Sequence, residues 1–190
     1  MKKVTIVGAG ALGSHLVMLL RNHADMKVVD FDRIETKNTM SQLHGKSTVG
    51  KNKAKSLQQT MLFLFGTRLE AVPHRLEPSN VKELLEGSDL VVDCVDDGPT
   101  RRVIQAFCVE RGIACLHGAL SAAGADFGQA RWTEEFTAHD RTEGAPTCED
   151  GEHLPYIAKA SAQLAIAAQD FLRDGSKRGF LVQRGPVKEI

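Results

Sequence analysis

The sequence predicts a doubly wound α/β domain, with a mostly parallel sheet and helices on both faces. Three observations carry that expectation. Short apolar runs alternate with stretches of helical periodicity along most of the chain. The run Leu90 to Val95 is apolar apart from Asp93, the pattern of a central parallel strand buried on both faces. The stretch Val4–Asp32 joins a β-branched run to Gly8, Gly10 and Gly13 in G-x-G-x-x-G spacing. A helical pattern follows, and a second apolar run, Met26 to Val29, ends at Asp30.

Each part of that unit has a physical job. Gly8 allows a tight turn, Gly10 lets backbone approach a phosphate, and Gly13 lets helix and strand pack closely. The helix N-terminus offers unpaired N–H groups and partial positive charge to an anion. Asp30, at the tip of the second strand, can accept hydrogen bonds from ribose hydroxyls. The bland alternative is a glycine-rich turn that binds nothing. Three glycines are, however, a poor way to begin a helix unless something sits there.

The remaining elements follow in order. Arg33 to Lys51 is polar and reads as a loop with one helical turn, long enough to be functional. Gly50-Lys51-Asn52-Lys53 opens a helix whose apolar face is Ala54, Leu57, Met61, Leu62 and Phe65, and Gly66 stops it. Leu69 to Pro73 forms a third strand, and Asn80 to Leu85 a short helix with Ser79 as N-cap. After the Leu90–Val95 strand comes a helix, Thr100 to Glu110, with Pro99 near its first turn and Gly112 at its end. Ile113 to His117 is a strand, and Ala119 to Arg131 holds a further extended pair. Residues of about 132–152 form a mobile crossover loop. Leu154 to Leu172 is a buried helix and Phe180 to Gln183 a last edge strand. Residues 1–190 read as a single nucleotide-binding α/β domain. Asp30, Asp32, Asp96 and Asp97 all fall just past strand ends, where doubly wound sheets bind ligands.

Composition narrows the classes of function. Lys plus Arg and Asp plus Glu both number 24, so no bulk charge favours nucleic acid. No apolar run is long enough to span a bilayer. Two lysines before the first strand leave no room for a signal peptide. The four cysteines, Cys94, Cys108, Cys115 and Cys148, include no C-x-x-C pair. That argues against a structural zinc and for reduced thiols in a cytoplasm. Cys94, Cys108 and Cys115 sit in apolar elements and read as core. Cys148 lies in a polar stretch, as spectator or as nucleophile. The histidines form no pair at metal-binding spacing. Asp93, inside an apolar strand, needs a bonded partner. Of Asp96 and Asp97, one is expected to cap the next helix, and Asp96 is the better metal ligand.

The order G-x-G-x-x-G, then D-F-D-x-I-x-x-x-N, then G-x-x-K-A, then D-C-x-D-D-x-x-x-R resembles the ubiquitin-activating-enzyme (E1-like) superfamily. The likeness is nearest to its bacterial branch of ThiF/MoeB/HesA-type adenylyltransferases, and it runs from Val4 to about Leu172. It implies a Rossmann-like homodimer that uses ATP and Mg2+ to adenylate a carboxylate. That carboxylate would belong to a ubiquitin-like sulfur carrier, a peptide or a small metabolite. Carried over by position, Gly8, Gly10 and Gly13 would line the phosphates and Asp30 would hold the ribose. Asp32, Asn38, Gln42, Lys53 and Arg101 would complete the nucleotide set. Lys53 would stabilise charge during attack, Asp96 would hold the metal, and Cys148 matches a cysteine that holds the activated carrier in some relatives. Three features depart from the family pattern. Ser41 stands where the family has an arginine, an N-terminal helix bearing another arginine is missing, and so are the paired C-x-x-C ligands. Arg33, Lys37, Lys46 or Lys51 are candidates to supply the missing charge. Two other functions stay open: an NAD-dependent oxidoreductase, and a degenerate nucleotide-binding scaffold subunit.

Overall fold

The computed structural model describes residues 1–120, 127–136 and 151–183. Among the described residues, seven strands make one sheet: β1 (Lys3–Val7), β2 (Asp25–Val29), β3 (Glu70–Val72), β4 (Leu90–Asp93), β5 (Ala114–Leu120), β6 (Phe127–Trp132) and β7 (Phe180–Gln183). Their order is β3-β2-β1-β4-β5-β6-β7. The first five in that order run parallel, and β6 and β7 extend the sheet antiparallel. The helices are α1 (Ala11–Leu20), α2 (Lys53–Phe65), α3 (Val81–Leu85), α4 (Gly98–Arg111) and α5 (Leu154–Asp174).

Strand alternation sends side chains to two cores. Val4, Ile6, Met26, Val28, Leu90 and Val92 meet α1, α2 and α5 on one face. Val7, Val29, Val91 and Cys115 meet α3 and α4 on the other. Helices therefore cover both faces, as the sequence predicts.

Local chemistry sets the element ends. Asn52 caps α2 through its side-chain oxygen, which accepts from Lys55 N–H at 3.0 Å, and Gly66 closes the helix. Asp97 caps α4 by accepting from Thr100 N–H at 2.8 Å. The strand expected to reach Val95 stops at Asp93, because the Asp93 carboxylate accepts from Val95 N–H at 3.0 Å and turns the chain. Ser79 is not the cap of α3. Asn80 holds that position, and its side chain ties down the preceding turn by bonds to Glu77 N–H and Arg75 C=O, both 2.9 Å.

Two expectations about burial change. Leu62 and Phe65, expected on the buried face of α2, are 51% and 41% exposed. The 13-residue helix outruns the three-residue edge strand β3 that it covers. Trp132 closes β6 and is buried, and Phe136 is buried after a 3₁₀ turn at Thr133–Glu135. The rest of the stretch read as a crossover loop, 137–150 with Cys148, lies outside the described residues.

β1 stands between β2 and β4, so the chain reverses its direction of travel across the sheet there. A doubly wound fold opens its ligand crevice at such a reversal, beyond the strands' carboxyl ends. Register brings Val29, Val7 and Asp93 to one level, so Asp30, Gly8 and Cys94 form the rim of that crevice.

Candidate functional site: a nucleotide crevice beyond β1 and β4

Gly8 turns the chain at φ +96°, and a Cβ there would lie 2.8 Å from the Cys94 carbonyl oxygen. A Cβ on Gly13 would lie 1.9 Å from the Gly8 carbonyl oxygen. Internal packing explains both glycines. Gly10 differs, because a Cβ there would meet nothing within 4 Å. Its bareness serves space outside the fold, at the start of α1, whose first N–H groups have no side-chain cap. We expect Gly10→Ala to cost stability only about 1 kcal/mol, as an N-cap change. It should nonetheless weaken adenine-nucleotide binding severalfold. Unchanged affinity by titration calorimetry would detach the turn from ligand binding.

The carboxylate of Asp30 is buried and braces this turn. Its two oxygens accept from Ala9 N–H at 2.6 Å and Asp32 N–H at 2.8 Å. Burial pushes the carboxyl above its ordinary value, against the pull of the Ala9 N–H and of nearby Lys53. A carboxylate has about four acceptor positions, so two remain for a ribose diol.

Lys53 enters from the first turn of α2. It is buried, its Nζ lies 3.0 Å from Asp32 Oδ2, and its N–H donates to the Asp32 carbonyl. Asn52 reinforces this joint by donating from Nδ2 to the carbonyl oxygens of Asp30, at 2.8 Å, and Asp32, at 3.1 Å. An asparagine ahead of a helical run signals an N-cap, but its second task, tying two distant carbonyls, leaves no mark in the sequence.

The segment around Asn38–His44 lies over α1. Leu43 N–H donates to Ser14 Oγ at 3.0 Å, and His15 Nε2 lies 3.0 Å from the Ser41 carbonyl. Asn38 is buried in its own turn, where its Oδ1 accepts from Glu35 N–H. Gln42 Oε1 is buried without a partner among the described residues. Ser41, in the family's arginine position, is 1% exposed.

Arg101, expected among the nucleotide contacts, is engaged within the fold. It is buried and donates to Asp93 Oδ2 at 3.1 Å, to the Gly118 carbonyl at 2.7 Å and to the Val95 carbonyl. We therefore assign it to bracing the loop after β4. Asp93 also bonds His117 Nδ1 at 2.8 Å, and His117 Nε2 lies 2.8 Å from Thr133 Oγ1. Phe136 stacks on the His117 ring at 4.2 Å. Cys115 Sγ lies 3.5 Å from His117 Nε2, a Cys–His–Asp array in outline. It has no nucleophilic use, since Cys115 and His117 are buried and desolvation pushes the thiol well above its ordinary range. The thiol of Cys94 is raised by burial too, although that residue is only partly covered, less than the core position expected.

Asp97 is occupied as the α4 cap and its carboxyl is lowered, chiefly by Thr100. Asp96 is exposed beside it. Among the described residues no three His, Cys, Asp or Glu side chains gather as a metal cage. One carboxylate suits Mg2+, which usually takes one or two protein carboxylates and completes its shell with phosphates and water. Among the described residues no helix is long and apolar enough to cross a membrane.

Fold and crevice together define a Rossmann-like α/β domain with a lysine at the start of α2 held beside a glycine turn. The chain belongs to the ThiF family, whose sequence pattern matches residues 1–166. A SAMP-activating enzyme E1 from Haloferax volcanii is 37% identical over 125 residues, 62% of this chain and 45% of that protein. A sulfur carrier protein adenylyltransferase from Thermus thermophilus is 36% identical over 121 residues, again 62% and 45%. The chain thus spans less than half the length of these curated relatives. The crystal structure of E. coli MccB with AMPCPP and the MccA peptide superposes with a TM-score of 0.78 at 17% identity, covering 98% of this chain and 62% of that one. That likeness establishes the fold.

Proposed function

We propose that this chain is the adenylate-forming domain of an ATP-dependent adenylyltransferase. The observation that carries the reading is Lys53, buried yet held by Asp32 at the rim where Gly10 leaves the turn open. Relatives named as a sulfur carrier adenylyltransferase and as an E1 enzyme support it, and they speak against the oxidoreductase reading. A substrate carboxylate oxygen bonds to the α-phosphorus, the bond to the bridging oxygen breaks, and pyrophosphate leaves. The N–H groups of the glycine turn hold phosphate oxygens, Asp30 holds the ribose, and Lys53 faces the charge that develops at the α-phosphorus. Asp96 is the residue to hold Mg2+, which would neutralise phosphate charge. The substrate class is a carboxylate at the end of a ubiquitin-like carrier, a peptide or a small metabolite, in a cytoplasmic setting. The test is ATP–pyrophosphate exchange with each class of carboxylate. Exchange that depends on one of them supports the reading. No exchange with any, alongside intact ATP binding, would leave a nucleotide-binding scaffold subunit.

A homodimer belongs to the same proposal. Leu62, Phe63, Leu64 and Phe65 form an apolar run at the end of α2, and Phe63 is 88% exposed. A contiguous patch of this kind marks an interaction surface more often than a free one. Phe63→Asp should convert a dimer to a monomer at micromolar concentration in sedimentation velocity. A wild type already monomeric there would remove the dimer.

A further inference from the structure

His44 is buried, 5% exposed, and it is not among the residues to which family likeness gives a role. Its Nε2 lies 2.9 Å from the Ala9 carbonyl oxygen. A carbonyl oxygen only accepts, so Nε2 carries the proton and Nδ1 is the bare nitrogen of a neutral ring. Nδ1 is buried and has no partner among the described residues. Leaving a ring nitrogen unsatisfied is unfavourable, and a leucine would fill the same space without that penalty. Its bond to the Ala9 carbonyl, the ring's one hydrogen bond among the described residues, is therefore its reason to be a histidine. Burial lowers the ring's proton affinity against the opposing pull of the Ala9 carbonyl, and Lys53 and His15 nearby add to the lowering, which favours the neutral ring.

The contact falls on a sensitive atom. Ala9 is gripped at both ends, its N–H by Asp30 and its C=O by His44. In a trans peptide the C=O and the following N–H point in opposite directions. Fixing the Ala9 carbonyl on His44 therefore turns the Gly10 N–H the other way, at the one glycine of the G-x-G-x-x-G turn whose surroundings are open. If this peptide flipped, an oxygen would replace the N–H and repel a phosphate.

We propose that His44 is a positioning residue that sets the Ala9–Gly10 peptide so that the Gly10 N–H serves as an anion donor. The role of that anion as a nucleotide phosphate rests on the adenylyltransferase reading. The peptide orientation itself does not.

The experiment has two arms. In ligand-free protein, 15N imidazole spectra should give His44 as the Nε2–H tautomer. The Ala9 carbonyl and Gly10 amide resonances should shift in His44→Leu and return toward wild type in His44→Gln, whose Nε2 takes the place of the imidazole Nε2. A wild-type ring protonated on Nδ1 would overturn the proposal even if neither variant folded. In the second arm, ATP affinity by calorimetry should fall about tenfold or more in His44→Leu. It should recover to within about threefold of wild type in His44→Gln and stay weak in His44→Asn, whose amide is one bond too short. Equal affinity in the Leu and Gln variants would overturn the positioning role. A wild type that bound no adenine nucleotide would fail the adenylyltransferase reading alone, and the spectra would still decide the peptide's orientation.

Discussion

Lys53→Ala is expected to slow ATP–pyrophosphate exchange by roughly 10²–10³, the usual loss when one fixed donor to developing charge is removed. Attack at the α-phosphorus spreads negative charge over the equatorial and leaving oxygens. Lys53 is the buried cation at the rim, and α2 fixes its approach through the Asn52 cap and the Lys53 N–H bond to Asp32. Removing the ammonium also leaves the Asp32 carboxylate, otherwise 3.0 Å from it, without its counter-charge beside the phosphates. ATP affinity should fall as well, though by less than the rate. The double variant Lys53→Ala, Asp32→Asn separates the two effects. Binding should recover while exchange stays slow. Single-variant exchange within threefold of wild type would remove Lys53 from catalysis. Ser41→Arg in the same assay should be harmful. Ser41 is 1% exposed, so a long cation has no room there without moving the segment that lies on α1.

The second large effect is one of stability. Arg101→Met should destabilise the domain by about 3–5 kcal/mol, because it strips a fully buried carboxylate of its guanidinium partner. Asp93 is 0% exposed and would keep only His117 and the Val95 N–H. Two carbonyls, those of Val95 and Gly118, would lose a donor together. Adding Asp93→Asn removes the stranded charge and should restore more than half of the loss, a coupling that denaturant titration of both variants measures. A single-variant loss below about 1 kcal/mol would show that the buried charges are not energetically coupled.

The parallel half of the sheet was legible in the sequence because period-two and helical patterns are local, and helix ends carry their own chemistry at Asn52, Gly66, Asp97 and Gly112. The glycine turn was legible for the same reason: three glycines within six residues encode turn, approach and packing. What stayed hidden depends on residues far apart in the chain. His44 shows its purpose only against Ala9, 35 residues away. The motif places Arg101 among the ligand residues, and its bracing bonds to Asp93, Val95 and Gly118 show only once those groups converge on it. The exposed end of α2 misled in the opposite direction, since helical spacing cannot tell how far the neighbouring strand extends.

The place of β1 in the sheet also orders events during synthesis. β1 pairs early with β2, Lys3 opposite Asp25, but its other flank is filled only by β4, where Val7 meets Asp93. A nascent chain that has emerged as far as β2 can close the turn on Asp30 but has no wall behind Gly8, because that wall is the backbone of Cys94. Until then a bare β-branched edge of β1 is open to pairing with other chains. Translational pausing between β2 and β4 should therefore lower the soluble yield, whereas a pause after β5, with both flanks of β1 and β4 paired, should not.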